Sequence, residues 1–371
     1  MKNIRSCLLL VVLGSFALAC SAGNAARVGP VSKLPAVKIL EANSPGRSLS
    51  ASGDDTYQWP GLYFEARFDG PSVYFKLGTG DVILRVLVDD QPVATLVKPA
   101  PGFFEIGNLA KQEHTVRVEA LTESQAGPNV FGGFLYSKET RPLAAPKRTR
   151  QIEFIGDSHT VGYGNTSPSR ECTEQQVWAT TDSSRAFGPK VAQHYDAEYQ
   201  VNAISGRGIV RNYGGSAGDP LPVAYPFVLL NHAARFEDRA WQPQVIVIAL
   251  GTNDFSTALN PGEKWKSRDE LHADFEESYL RFLGSLRARN PQAFIVVWAT
   301  DMAEGEISSE AGKAVSRFQA DGDARITFVP IAGLAMTGCH WHPSTADDDT
   351  IANTLMRVID GKSDAWGAKA P

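Results

Sequence analysis

Several large functional classes leave marks that this sequence lacks. No block of lysines and arginines stands out, and 36 basic residues against 41 acidic ones give a formal net charge of -5. Nucleic-acid binding needs a clustered basic surface, so that class is set aside. Cysteine is scarce: four residues, at 7, 20, 172 and 339, form no Cys-x-x-Cys pair and no zinc-like spacing. No Gly-x-Gly-x-x-Gly follows the first apolar strand of the C-terminal half, so the dinucleotide fingerprint is missing. Neither a cofactor nor a metal ion is expected. No apolar run is long enough to span a bilayer comfortably. Internal repeats and low-complexity runs are also absent.

What is present begins with an export signal. Lys2 and Arg5 precede an apolar stretch, "CLLLVVLGSFALA", over residues 7–19. Two processing routes fit its end. Ala17-Leu18-Ala19 reads as a small-x-small cleavage site. Cys20 reads as a bacterial lipoprotein attachment site, although position 17 holds Ala where Leu is usual. Residues 1–19 are thus a signal peptide and 20–35 a flexible tether. The mature chain is expected outside the cytoplasm: an outer-membrane or cell-surface lipoprotein, or a secreted or periplasmic protein. Any membrane association would come through the lipid on Cys20. Cys7 leaves with the signal and Cys20 is lipidated or removed, so Cys172 and Cys339 remain as a pair where disulfides form.

Two patterns divide the rest. Residues 36–143 alternate apolar and polar with frequent turns, as in "SVYFKLGTG" and "HTVRVEAL". Short alternating strands of this kind predict an antiparallel β-sandwich or jelly roll. Its aromatics, Trp59, Tyr63, Phe64, Tyr74, Phe75, Phe103 and Phe104, are expected in the sandwich core. A Pro-rich and basic stretch, "RPLAAPKRTR", marks a linker. From 151 to 371 the pattern changes to strands that are apolar throughout: "QIEFIG", "YQVNAIS", "PQVIVIALG", "AFIVVWAT" and "RITFVP". Helix-like segments lie between and after them, near 183–196, 222–239, 269–289, 305–320 and 346–360. In the third, Leu271, Phe275, Tyr279, Phe282 and Leu286 recur at helical spacing. Such alternation predicts a parallel sheet covered on both faces.

Parallel sheets bind ligands at the carboxyl ends of their strands. Four polar sites follow four of these strands. Ser158 comes after the first, Gly206 after the second, Asn253 after the third and His342 after the fifth. Together they suit acyl transfer. A serine hydroxyl needs a base, and His342 is the candidate. The oxyanion that forms needs preorganised donors. The backbone N–H groups of Ser158 and Gly206 and the Asn253 amide are the candidates. Each piece alone is an ordinary turn or helix cap; their order along the chain is the signal.

The blocks "GDSHT", "SGRG", "GTND" and "HPS", in that order, resemble the SGNH (GDSL-like) hydrolase superfamily. With a β domain in front and "SGRGIVRNY" after the second strand, the chain resembles carbohydrate esterase family two. That resemblance implies a jelly roll followed by a flavodoxin-like α/β/α domain. It implies removal of acetyl groups from plant polysaccharides such as xylan and glucomannan, by a chain expected to be a monomer. It assigns Ser158 as nucleophile, His342 as base, and Ser158, Gly206 and Asn253 as the oxyanion hole.

The pattern departs in one place. The superfamily's aspartate, two or three residues before the histidine, is replaced by His340 and Cys339. A Ser-His dyad is therefore expected, with the imidazole held by a backbone carbonyl or another acceptor; Asp301 and Asp347 are the candidates for a substitute carboxylate. A Cys172–Cys339 disulfide would tie the nucleophile loop to the histidine loop. Trp341 is either a sugar platform or packed under its own loop, and His159 is a candidate substrate contact. Asp157 and Asp254 are expected to organise their turns. Two rivals stay open: an esterase of another acetylated glycan, such as peptidoglycan, and a non-catalytic carbohydrate-binding lipoprotein.

Overall fold

The computed structural model describes residues 25–367, so the signal peptide and Cys20 lie outside the described residues. The N-terminal domain is a sandwich of a seven-stranded and a six-stranded sheet, and its strand pairs are antiparallel. Its centre is aromatic. Phe64 stacks on Phe131 at 4.0 Å between centroids, and Phe75 on Phe104 at 5.3 Å. One boundary shifts. Residues 27–30, expected in the tether, form a strand paired with Gly102–Gly107. That strand is short and largely solvent-facing, so it carries no alternation for the sequence to display.

The C-terminal domain has one five-stranded sheet, parallel throughout. In chain order its strands are Arg150–Gly156, Ala197–Ala203, Val245–Ala249, Phe294–Thr300 and Ile326–Ile331. Their spatial order is second, first, third, fourth, fifth. This is the doubly wound flavodoxin-like order, which places a crevice beside the first strand where the winding reverses. The helix Arg268–Arg289 opens on Ser267, whose side chain accepts from Glu270 N–H, and buries Leu271, Phe275, Tyr279, Phe282 and Leu286.

Two helix expectations need correction. Only Leu221–Ala224 is helical in the stretch 222–239. Pro226 blocks continuation, and the sandwich satisfies the backbone groups that a helix would have paired. Trp59 Nε1 donates to Phe227 O at 3.1 Å, and Leu230 N–H donates to Gln58 Oε1 at 3.0 Å. Conversely, Glu174–Thr180 is a helix outside the expected segments, although Thr173 and Gln176 form a capping box readable in the sequence.

The seam between the domains is not a loose linker. Trp59 and Tyr63, expected within the sandwich, pack outward against the second domain; Tyr63 meets Tyr199 at 5.0 Å. Arg47 of the sandwich and Glu153 of the first parallel strand form an ion pair at 3.1 Å, each side chain 1% exposed. Its guanidinium also lies 4.4 Å from the Tyr225 ring centroid. Breaking a buried pair of this kind by removing one partner costs about 3–5 kcal/mol.

Candidate active site

Ser158 opens a one-turn helix, Ser158–Val161, at the carboxyl end of the central first strand. Asp157 caps it by accepting from His159 N–H at 3.0 Å. The turn is tight: a Cβ on Gly156 would lie 2.9 Å from Ala249 O and closer still to the Thr160 side chain. Ser158 is 4% exposed.

His342 comes from the far side of the sheet. The fifth strand stands three places from the first, about 14 Å at normal strand spacing, so residues 332–342 must fold back across the rim. They bring His342 Nε2 to 2.8 Å from Ser158 Oγ. The other ring nitrogen, Nδ1, lies 2.9 Å from Cys339 O and 3.2 Å from His340 O. Carbonyl oxygens only accept, so Nδ1 carries the proton and Nε2 is left as acceptor for the hydroxyl. Neither substitute carboxylate reaches the ring. Asp301 accepts from Gly333 N–H, and Asp347 completes the capping box of the N-cap Ser344 and accepts from Ala335 and Met336 N–H.

A strap holds this returning loop. Cys172 and Cys339 are disulfide-bonded, 167 residues apart in the chain. His340 N–H donates to Arg170 O at 2.7 Å. The Arg170 guanidinium donates back to Met336 O and Ala335 O at 2.7 and 2.6 Å. His340 Nε2 lies 2.8 Å from Cys172 O, and its Nδ1 lies 3.1 Å from the Tyr163 hydroxyl. Inside the strap, His340 and Trp341 sit at φ 51° and 59°, a region costly for side chains with a Cβ. Trp341 projects outward, 52% exposed, rather than packing under its own loop.

On the opposite side, Gly206 N–H and Ser158 N–H donate to no protein acceptor among the described residues. Gly206 has φ 81°, and an added Cβ would meet no protein atom within 4 Å. Backbone conformation, not lack of space, is therefore what calls for glycine here. Asn253 differs from expectation. Both protons of its amide already have protein acceptors, Arg207 O at 2.9 Å and Asp157 Oδ2 at 3.1 Å. The amide ties the nucleophile turn and the Gly206 loop together. Asp254 shapes that loop, accepting from Ile209, Val210 and Arg211 N–H at 2.9 Å each.

His159 also needs correction. It is 3% exposed, stacked 6.4 Å from Trp298 and edge-on 5.4 Å from His342. A side chain so enclosed packs against the base and offers almost no surface for the substrate contact expected of it. Two residues that nothing in the sequence marked come from the sandwich: Glu123 Oε1 accepts from Ser205 N–H at 2.8 Å, and Gln125 Nε2 donates to Ser205 O at 3.1 Å. Neither belongs to a motif or stands out in its alternating domain.

Burial sets the electrostatics. It lowers His342 to about 4, with the two carbonyl hydrogen bonds opposing it. His159 falls to about 3, from burial first and then the neighbouring His342. Burial raises Asp157 to about 7 and Asp254 to about 6. The imidazole is thus neutral across the ordinary working range, as a general base must be.

Residues 45–146 match the carbohydrate esterase 2 N-terminal family, and residues 154–353 match the GDSL-like lipase/acylhydrolase family. An acetylxylan esterase / glucomannan deacetylase of Cellvibrio japonicus (strain Ueda107) is 46% identical over 312 residues, which are 84% of this chain and 87% of that protein. Among solved structures, a carbohydrate esterase whose active site displays divergent catalytic and non-catalytic binding functions aligns with a TM-score of 0.85. Identity there is 44%, over 89% of this chain and 100% of the other. A family two carbohydrate esterase from Clostridium thermocellum, in complex with cellohexaose, aligns with a TM-score of 0.76 at 28% identity, over 89% and 100% of the two chains. By its sequence matches, its two-domain fold and these relatives, the chain belongs to the GDSL-like lipase/acylhydrolase family and is a family two carbohydrate esterase.

Proposed function

We propose that this esterase removes O-acetyl groups from acetylated xylan and glucomannan through an acetyl-serine intermediate, using Ser158 and His342 without a carboxylate. The observation that carries the reading is the 2.8 Å contact between His342 Nε2 and Ser158 Oγ, with Nδ1 facing backbone carbonyls. His342 takes the hydroxyl proton as Oγ attacks the acetyl carbonyl. The oxyanion falls to the N–H groups of Ser158 and Gly206. Asn253 joins them as third donor by turning the amide N–H that it now donates to Asp157 Oδ2. Collapse breaks the sugar–acetyl bond, and the imidazolium returns the proton to the departing sugar hydroxyl. A water activated by the same imidazole then releases acetate.

Trp341 is the platform for a pyranose face next to the dyad, a reading supported by its exposure. The choice of substrate rests on the Cellvibrio relative, which is an acetylxylan esterase / glucomannan deacetylase. Acetate release from acetylated xylan, acetylated glucomannan and O-acetylated peptidoglycan, each with Ser158→Ala as control, tests it. Turnover of the two plant polysaccharides is expected; exclusive turnover of peptidoglycan would overturn the assignment.

We also propose that the chain works outside the cytoplasm, on the apolar N-terminal stretch and a disulfide beside the base. Fractionation of cells, with labelled palmitate as probe for Cys20, distinguishes a lipid-anchored from a free form. Recovery of the unprocessed protein in the cytoplasm would refute export.

A further inference from the structure

We propose that the sandwich domain sets the oxyanion site, with Glu123 and Gln125 acting as positioning residues that lock the Ser205–Gly206 peptide so that Gly206 N–H faces the dyad. The inference rests on the acyl-transfer reading above. It does not depend on which glycan is the substrate.

Residues Ile204–Arg207 form a β-turn closed by Arg207 N–H donating to Ile204 O at 3.2 Å. Gly206, third of the four, has φ 81°. That is the type II geometry, which requires a positive φ at this place. Types I and II differ mainly by rotation of the central peptide, here the one joining Ser205 to Gly206. Glycine is at home in both forms, so the loop by itself chooses weakly between them. The consequence for catalysis is large. A planar trans peptide points its C=O and N–H in opposite directions. In one form Gly206 N–H faces the dyad; after the flip Ser205 C=O does, and an acceptor faces the oxyanion.

Two side chains from the other domain oppose the flip. Gln125 Nε2 donates to Ser205 O at 3.1 Å, which fixes the carbonyl end of the flipping peptide. Glu123 Oε1 accepts from Ser205 N–H at 2.8 Å, which fixes the peptide before it. Their own loop is braced. Leu121 O accepts from Ser183 N–H at 2.9 Å, and Gln58 Nε2 donates to Ser124 O at 3.1 Å. The segment 121–125 is therefore a rigid prop reaching from the sandwich to the rim of the parallel sheet.

The test uses the full chain and p-nitrophenyl acetate, whose turnover needs the oxyanion site and no glycan contact. Gln125→Glu keeps size and shape but cannot donate to Ser205 O; kcat is expected to fall about tenfold with KM unchanged. Glu123→Ala is expected to do the same, and Glu123→Gln, which still accepts, to recover most of the loss. Glu123→Ala with Gln125→Ala should approach the hundred-fold loss typical of a missing oxyanion donor. Inactivation of Ser158 by an alkyl phosphonate, whose P–O oxygen occupies the same hole, should slow in parallel. A kcat within twofold of the parent in Gln125→Glu, an isosteric change at an exposed side chain that leaves the fold intact, would overturn the proposal; so would a rise in KM at constant kcat. Ser158→Ala in the same assay separates the two readings. If it stays active, the dyad itself fails. If it is dead while Gln125→Glu is normal, only the prop fails.

Discussion

The two sides of Ser158 are held by different means. The histidine side is tied within its own domain, by a disulfide, a guanidinium strap and backbone carbonyls on Nδ1. The oxyanion side is built from loops joined by neutral and acidic hydrogen bonds, part of them from the sandwich. A carboxylate would steer an imidazole by charge as well as by direction. Carbonyls give direction alone, so the loop that carries them must be rigid. The strap supplies that rigidity, and the strained backbone at His340 and Trp341 persists because so many contacts determine it.

Removing the centre should abolish the contrast. Ser158→Ala is expected to lower kcat on the order of 10⁶-fold, and adding His342→Ala to cost little more, because the pair acts as a unit. Acetate release by the single and double variants checks both. On the oxyanion side, Asn253→Ala should lower kcat by about a hundred- to a thousand-fold with a smaller change in KM. Steady-state kinetics read this directly, and a pure KM effect would move Asn253 out of the site.

On the histidine side, Cys172→Ser with Cys339→Ser should lower the unfolding free energy by about 4 kcal/mol, the usual scale for a disulfide closing a long loop. It should also lower kcat, since Cys339 O would no longer be fixed. Denaturant titration and kinetics on one preparation separate the two effects. The pH profile sharpens the picture further. The base works only when neutral, and burial lowers His342 to about 4, so the acid limb of kcat/KM should fall near pH 4 rather than near 6.5. The smallest effect is reserved for the carboxylates. Asp301→Asn should change kcat less than twofold. Asp347→Asn should cost about 1 kcal/mol of stability, because both carboxylate oxygens accept backbone N–H groups and the amide replaces one of them with a donor. A loss of several thousand-fold in either would restore a triad.

Most of the histidine side was legible in the sequence. Ser158 and His342 stood after strands of one sheet, and the two cysteines outside the N-terminal apolar stretch flanked the same rim. The missing aspartate was readable as a missing letter. The oxyanion side was legible only in part, because its motif letters were visible but their hydrogen bonds were not. Asn253 bonds to Asp157 and Arg207, a pairing set by how three loops meet. Glu123 and Gln125 lie in a domain whose alternation reports only which face is buried. The same cause hides the irregular course of 222–239. Its apolar spacing suggested a helix, yet Trp59 and Gln58 satisfied its backbone from outside. His159 was misplaced for a related reason: adjacency in sequence to a nucleophile says nothing about which way a ring turns.

The buried pair between Arg47 and Glu153 has a consequence for anyone hoping to trim this enzyme to its hydrolase half. Cutting after residue 150 would leave the Glu153 carboxylate without its cation, with only the neutral donors Asn202 and Tyr225, and bare the tyrosines that now line the joint. Such a fragment should collect in inclusion bodies, and grafting a foreign glycan-binding module in front of it would not cure the defect. The smallest portable unit is the pair of domains together.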